Sequence, residues 1–159
     1  MRIGIGYDIH RMGADRPLIL GGVTIPGITG LVGHSDADPV MHAVTDALLG
    51  AAALGDIGEH FSDKDPQWEN ADSALILSHV VDMVAEQKGL AVINVDVNII
   101  AQRPRLRGYK HAMRKRLAES LRTDIGNVSV KARTKEGLDA TGHGEAIEVQ
   151  AAALLETVD

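Results

Sequence analysis

The 159-residue sequence predicts an α+β fold, with a mainly four-stranded mixed sheet, helices on one face and a small β-hairpin. Three observations predict it. Some segments alternate apolar and polar residues, the strand period, and others repeat at the helical period. The two kinds mix without strict alternation along the chain, which disfavours a doubly wound sheet. The 45% hydrophobic and 24% charged fractions are those of a globular chain, and the length suits a single domain over residues 1–159.

The elements follow in order. In the first ten residues Ile3, Ile5, Tyr7 and Ile9 share one strand face, and Gly4, Gly6, Asp8 and His10 the other. The two glycines leave room for another backbone or for a ligand. LILGGVTIP reads as a hairpin about Gly21-Gly22, and a Gly-rich loop follows over 27–33. Asp38-Pro39 opens a helix as N-cap and first helical residue, and Gly55 ends it. Residues 56–71 form a long polar loop, more often functional than idle. Asp72 caps a second helix with Leu75, Ile76, Val80, Met83 and Val84 as its buried stripe and Gly89 past its end. A strand over 92–101 alternates Ile93, Val95, Val97 and Ile99 with Asn94, Asp96 and Asn98. A third helix covers about 108–121, and strands near 127–134 and 145–155 flank a loop at 135–144. The sheet face bearing Asn94, Asp96, Asn98, Glu148 and Gln150 meets either water or another subunit.

Composition removes several classes of function. Without cysteine there is no disulfide and no thiolate nucleophile, so any metal sits on His, Asp or Glu. No segment is long and apolar enough to span a membrane, and Asp8 and His10 interrupt any signal-like stretch, so the expected location is cytoplasmic. The net charge of −6 and the 3% aromatic content argue against nucleic acid as a partner. Seven of the sixteen bases lie between Arg103 and Arg116, which reads as a solvated helix face with one or two ligand contacts.

Four constellations carry possible chemistry. Asp8 and His10 project together from a strand, and His42 stands in the first turn of the Asp38 helix. Three N/O ligands with a fourth position open are the pattern of catalytic zinc. Asp46, one turn after His42, is placed to accept the other imidazole N–H. Spacing alone also admits a chance D-x-H and an ordinary helix-start histidine. His34-Ser35-Asp36-Ala37-Asp38 precedes a helix N-terminus, where anions are favoured, though capping alone explains it. Asp56-Ile57-Gly58 and the 61–65 loop offer acidic and small residues for sugar hydroxyls, or a solvated loop. Thr134 and Glu136, at a strand end, offer a hydroxyl and a carboxylate to a hard cation, or a charged strand exit.

Taken jointly these segments resemble one family. Asp8-Ile9-His10, His34-Ser35-Asp36-Ala37-Asp38, His42, Thr45-Asp46-Ala47-Leu48-Leu49-Gly50-Ala51, Gly55-Asp56-Ile57-Gly58 and Asp72-Ser73 stand in its order and spacing. So do Val95-Asp96-Val97, Ile100-Ala101-Gln102, Pro104, Lys131-Ala132, Thr134, Glu136 and Thr141-Gly142. The family is 2-C-methyl-D-erythritol 2,4-cyclodiphosphate synthase of non-mevalonate isoprenoid biosynthesis, and the likeness covers essentially the whole chain.

The resemblance implies a homotrimer whose sheets face a central channel, with active sites between subunits. It implies that the 2-phosphate of 4-diphosphocytidyl-2-C-methyl-D-erythritol 2-phosphate attacks the β-phosphate and CMP leaves. Asp8, His10 and His42 would bind one Zn2+ per subunit, and Glu136 a Mg2+ or Mn2+ shared with the substrate. His34 and Thr134 would stabilise the transition state. Ile9, Ser35 and Lys135 would contact substrate, Ser35 at a phosphate. Asp56, Ile57 and Gly58 would hold the ribose, and Phe61, Ser62, Asp63, Lys64 and Asp65 the methylerythritol hydroxyls. Ala101, Gln102, Arg103, Pro104, Arg105 and Leu106, with Ala132 and Arg133, would form the cytosine pocket. The sequence departs from the family at Ser62 and Arg133, usually Pro and Thr, and at Ala140, His143 and Gln150. The last three replace channel-lining Phe, Arg and Glu, so no prenyl diphosphate site is assigned. The residues alone also admit a metal-dependent phosphohydrolase, or a metal- and nucleotide-binding trimer without turnover.

Overall fold

The computed structural model describes residues 1–62 and 64–158. Strands β1 (Arg2–Leu20), β2 (Val23–Leu31), β3 (Leu90–Ile100), β4 (Val128–Arg133) and β5 (Ala146–Thr157) form one sheet in the order β2-β1-β5-β3-β4. Neighbours are antiparallel except β3 and β4, which the helical crossover makes parallel. Helices α1 (Pro39–Ala52), α3 (Ser73–Lys88) and α4 (Lys110–Leu121) cover one face; α2 (Ile57–His60) and α5 (Asp139–Gly142) are single turns in loops.

The sheet therefore has five strands rather than four and a separate hairpin. The first arm of the hairpin is the continuation of β1 itself, bent by register shifts between Met12 and Leu18. The stretch expected as a Gly-rich loop is largely β2. Gly21-Gly22 does form the turn, both with positive φ.

Asp38 ties this turn to α1. Its carboxylate accepts from Gly21 N–H (2.9 Å), Gly22 N–H (2.6 Å), Val40 N–H (3.0 Å) and Met41 N–H (3.3 Å), and the residue is fully buried. One side chain thus caps the helix and satisfies the hairpin donors. The room beside Gly4 and Gly6 is taken by backbone, not ligand. A Cβ on Gly6 would stand 1.9 Å from the Ala43 carbonyl oxygen, and one on Gly4 2.0 Å from that of Ala47. The absence of side chains lets α1 lie directly on β1.

Some boundaries differ from the sequence reading. α1 ends at Ala52 rather than at Gly55, and its C-cap Ala53 takes the left-handed conformation (φ 55°). Leu75 is 67% exposed, and Leu77 occupies the buried stripe in its place. Ile93 falls at a register shift between Val92 and Asn94, leaving Val95, Val97 and Ile99 as the buried row. Arg114, from the basic run, turns inward and donates to Val128 O (2.7 Å) and Ile125 O (2.8 Å). Glu148 is not solvated. It is buried beneath Tyr7, which donates to it at 3.2 Å, Thr141 at 2.5 Å, and Lys135.

Opposite the helices the sheet is open. Ile3 (73%), Ile5 (80%), Tyr7 (51%) and Ile9 (46%) form an exposed row along β1. A shallow concavity of about 680 Å³ runs from Asp46 and Asp56 at the edge of β1 across this face to Lys131 and Arg133.

Candidate active site and metal centre

The period of β1 puts Asp8 and His10 on the face toward α1, and the Asp38-Pro39 start puts His42 in that helix's first turn. Because the two elements touch through glycine, the three side chains converge. Asp8 Oδ2 lies 3.3 Å from His10 Nδ1 and 3.1 Å from His42 Nδ1. One ligand atom from each falls within 4.8 Å of the others, and all three residues are half-buried. Burial pushes the Asp8 carboxyl up, but hydrogen bonds from His10 and His42 outweigh it and hold it at about 2. Burial likewise lowers His10, and the Asp8 hydrogen bond and charge raise it above its ordinary value. Two imidazoles and an ionised carboxylate without a thiol suit a borderline divalent ion, and three ligands leave a position open.

These residues line a cavity of about 480 Å³ together with Ile9, His34, Ser35, Ile57, Gly58 and Phe61. His34 Nε2 approaches the Asp65 carbonyl at 3.3 Å, which links it to the 61–65 loop. Phe61 is also part of the core, edge-on to Trp68 at 5.0 Å. Asp65 caps the 3₁₀ turn Pro66–Trp68, accepting from Gln67 N–H at 3.0 Å, and the Ser62 hydroxyl accepts from Lys64 N–H at 3.2 Å. Asp63 lies outside the described residues. Asp56 caps α2 through Glu59 N–H (3.1 Å) and borders the outer concavity.

Ser35 is buried, and its hydroxyl faces inward to His42 Nε2 at 3.1 Å. Asp46 does not pair with His42. It accepts from Ile57 N–H at 2.8 Å and so fixes the start of α2, and burial pushes its carboxyl up. The other nitrogen of His42 faces Ser73 instead, at 2.9 Å. Sequence reasoning missed Ser73 and Asp36 as neighbours of the site because both sit where capping and turn residues are ordinary. It also missed Arg16, which donates to Gly33 O (2.9 Å) and to Ser35 O and so clamps the His34-Ser35 segment.

A second group gathers elsewhere. Ala101, Gln102, Pro104, Arg105, Leu106, Ala132, Arg133 and Thr134 line a cavity of about 350 Å³. Arg103 points away, bordering a different cavity with Arg11 and Gly144. The Thr134 hydroxyl donates to Glu136 at 3.1 Å. Lys135 is held by Asp139 (2.8 Å) and by Glu148. Ile9, Glu148, Ile100 and Arg133 form one cross-strand row, so the strand bearing Arg133 lies ~14 Å from that of His10.

The YgbB family model matches residues 1–156. A protein of Burkholderia mallei (strain SAVP1) named 2-C-methyl-D-erythritol 2,4-cyclodiphosphate synthase is 56% identical over 97% of this chain and 94% of its own length. One of the same name from Solibacter usitatus (strain Ellin6076) is 51% identical over 98% of both chains. A solved 2C-methyl-D-erythritol-2,4-cyclodiphosphate synthase in its CDP-bound form superposes with a TM-score of 0.88 at 37% identity, covering 98% of this chain and 100% of that one. The bifunctional IspDF from Campylobacter jejuni superposes at 0.95 with 41% identity; the match takes in 99% of this chain but only 42% of that longer one.

Proposed function

The chain belongs to the YgbB family of 2-C-methyl-D-erythritol 2,4-cyclodiphosphate synthases, and on that premise we propose how its residues divide the reaction. The enzyme converts 4-diphosphocytidyl-2-C-methyl-D-erythritol 2-phosphate to the 2,4-cyclodiphosphate and CMP. A 2-phosphate oxygen bonds to the β-phosphorus while the bond from that phosphorus to the bridging oxygen breaks. CMP leaves with that oxygen and the electron pair. The nucleophile is already part of the substrate, so no serine or cysteine nucleophile is required.

The observation that carries this reading is the convergence of Asp8, His10 and His42 in the cavity that also holds His34. Asp8, His10 and His42 would hold Zn2+, which supplies charge neutralisation to the phosphates when bound. Glu136, exposed beside Thr134, would hold Mg2+ or Mn2+ together with the substrate diphosphate. His34 and Thr134 donate to phosphate oxygens as their charge shifts toward the leaving CMP. Ile57 and Gly58 seat the ribose beside the metal residues. The 101–106 segment with Ala132 holds cytosine, and Arg133 adds a cation where the family has threonine. Alignment of the two phosphates accounts for much of the rate, since positioning is worth ~7–11 kcal/mol in well-aligned systems.

The active form is a homotrimer in this reading. Two features support it. The metal cavity and the cytosine cavity are separate within one chain, which a neighbouring copy would bring together. The exposed row Ile3, Ile5, Tyr7 and Ile9 is an apolar face suited to burial against another copy.

Phosphorus NMR of the purified protein with substrate, Zn2+ and Mg2+ tests the reading. Cyclic diphosphate signals with stoichiometric CMP are expected, and they vanish in His42→Ala. A linear phosphorylated product would instead mean hydrolysis by water.

A further inference from the structure

We propose that Ser73 and Asp36 are positioning residues that hold His42 in the tautomer and orientation a metal ligand needs. The inference rests on the reading of Asp8, His10 and His42 as the zinc site. His42 turns Nδ1 toward Asp8 (3.1 Å) and Nε2 toward Ser73 Oγ (2.9 Å). A nitrogen that binds metal carries no proton, so the proton of neutral His42 belongs on Nε2. There it needs an acceptor. Ser73 Oγ, at 2.9 Å the nearer of two hydroxyls facing that nitrogen (Ser35 Oγ lies at 3.1 Å), is that acceptor, provided its own proton is taken elsewhere.

Asp36 takes it. The Ser73 hydroxyl donates to Asp36 Oδ1, and Asp36 is itself fixed by Ser73 N–H (3.2 Å) and Asp38 N–H (3.2 Å). An acidic partner that can only accept sets the direction of the whole chain: His42 Nε2–H to Ser73, Ser73 O–H to Asp36. Ser35 fits the same order. Its oxygen accepts from Ala37 N–H (3.2 Å), and its proton can point to Ser73 Oγ at 3.3 Å. Ser73 is 1% exposed, so water does not substitute readily for its hydroxyl. The chain also joins three parts of the fold, since Ser73 begins α3, His42 rides on α1 and Asp36 lies in the loop before it.

The test is zinc affinity of the full chain by chelator competition, with imidazole-proton NMR of the isotope-labelled, zinc-loaded protein. Ser73→Ala should weaken zinc by ~10–100-fold, as loss of an outer partner does. A protected His42 Nε2–H resonance present in the wild type should exchange rapidly in the variant. A merely structural role would not move that resonance. Should Ser73→Ala fail to fold by circular dichroism, Asp36→Asn, of nearly equal size, must show both effects. Unchanged affinity and an unchanged resonance, with zinc lost in His42→Ala, would overturn this inference and leave the zinc site standing. Wild-type protein that binds no zinc would overturn both.

Discussion

Replacing Gly6 by alanine should open the metal site from behind. The new Cβ would stand 1.9 Å from the Ala43 carbonyl oxygen and 2.9 Å from Ala47 N, whereas real Cβ contacts essentially never fall under 3.0 Å. Both obstacles are helix backbone, so no side chain can rotate away. α1 must move off β1 by about 1 Å or more. His42 precedes Ala43 on that helix, and Asp8 and His10 follow Gly6 on that strand, so the same shift separates the ligands. Metal–ligand distances tolerate only ~0.2 Å. Zinc affinity should therefore fall by about tenfold or more, a loss of ~1.4 kcal/mol or more. Overpacking costs ~1–3 kcal/mol, and for a chain of this size each ~1 kcal/mol lowers Tm by ~2–4 °C. Chelator competition and thermal unfolding measure the two effects. Gly4→Ala is the control: it meets Ala47 O at 2.0 Å further along the helix and should cost stability with a smaller loss of zinc. Wild-type zinc affinity and Tm in Gly6→Ala would refute the packing argument.

Three further outcomes are expected. Asp38→Ala should cost ~2–5 kcal/mol in urea unfolding, because four backbone N–H groups lose their acceptor; an unchanged midpoint would contradict that role. Burial raises the Glu148 carboxyl, but hydrogen bonds from Lys135, Thr141 and Tyr7 bring it below its ordinary 4.5. Its contribution is thus complete above that value and lost as pH falls through the folded-state pKa. The stability gap between wild type and Glu148→Gln should be widest near neutrality and close in acid, and a gap constant with pH would sink the assignment. Ile5→Glu should shift the protein to smaller species in analytical ultracentrifugation at fixed concentration, whereas an unchanged assembly would remove the β1 row from the interface.

Much of the site could be read before any coordinates. The D-x-H pair is visible because strand side chains repeat every second residue, and His42 because Asp38-Pro39 marks where its helix begins. The outer partners of His42 were not legible. Asp46 has the right spacing on the same helix, yet it turns to Ile57 N–H, and the imidazole is met by Ser73 from another helix. Asp72-Ser73 shows only a helix start in one dimension. Lys135, which the resemblance places against substrate, also pairs with Glu148 and Asp139, and those pairs bridge elements that the sequence does not show as neighbours. The second hairpin arm runs further than its glycines suggest, because pairing of Thr29, Gly30 and Leu31 with β1 keeps that stretch in the sheet.

Local sequence pattern alone specifies the α+β class, the main element order, the caps at Asp38 and Asp72, and Asp8, His10 and His42 as candidate ligands. These follow from periodicity and capping, which act over a few residues. Tertiary structure alone decided that Gly4 and Gly6 admit a helix backbone rather than a ligand. Packing also decided that Ser73 and Asp36 back His42, and that the cavity beside His42 stands apart from the one lined by Pro104 and Ala132 within one chain. Those outcomes depend on which distant surfaces pack together, and a hydroxyl or carboxylate near a helix start can serve equally as a cap or as a partner to a neighbouring element.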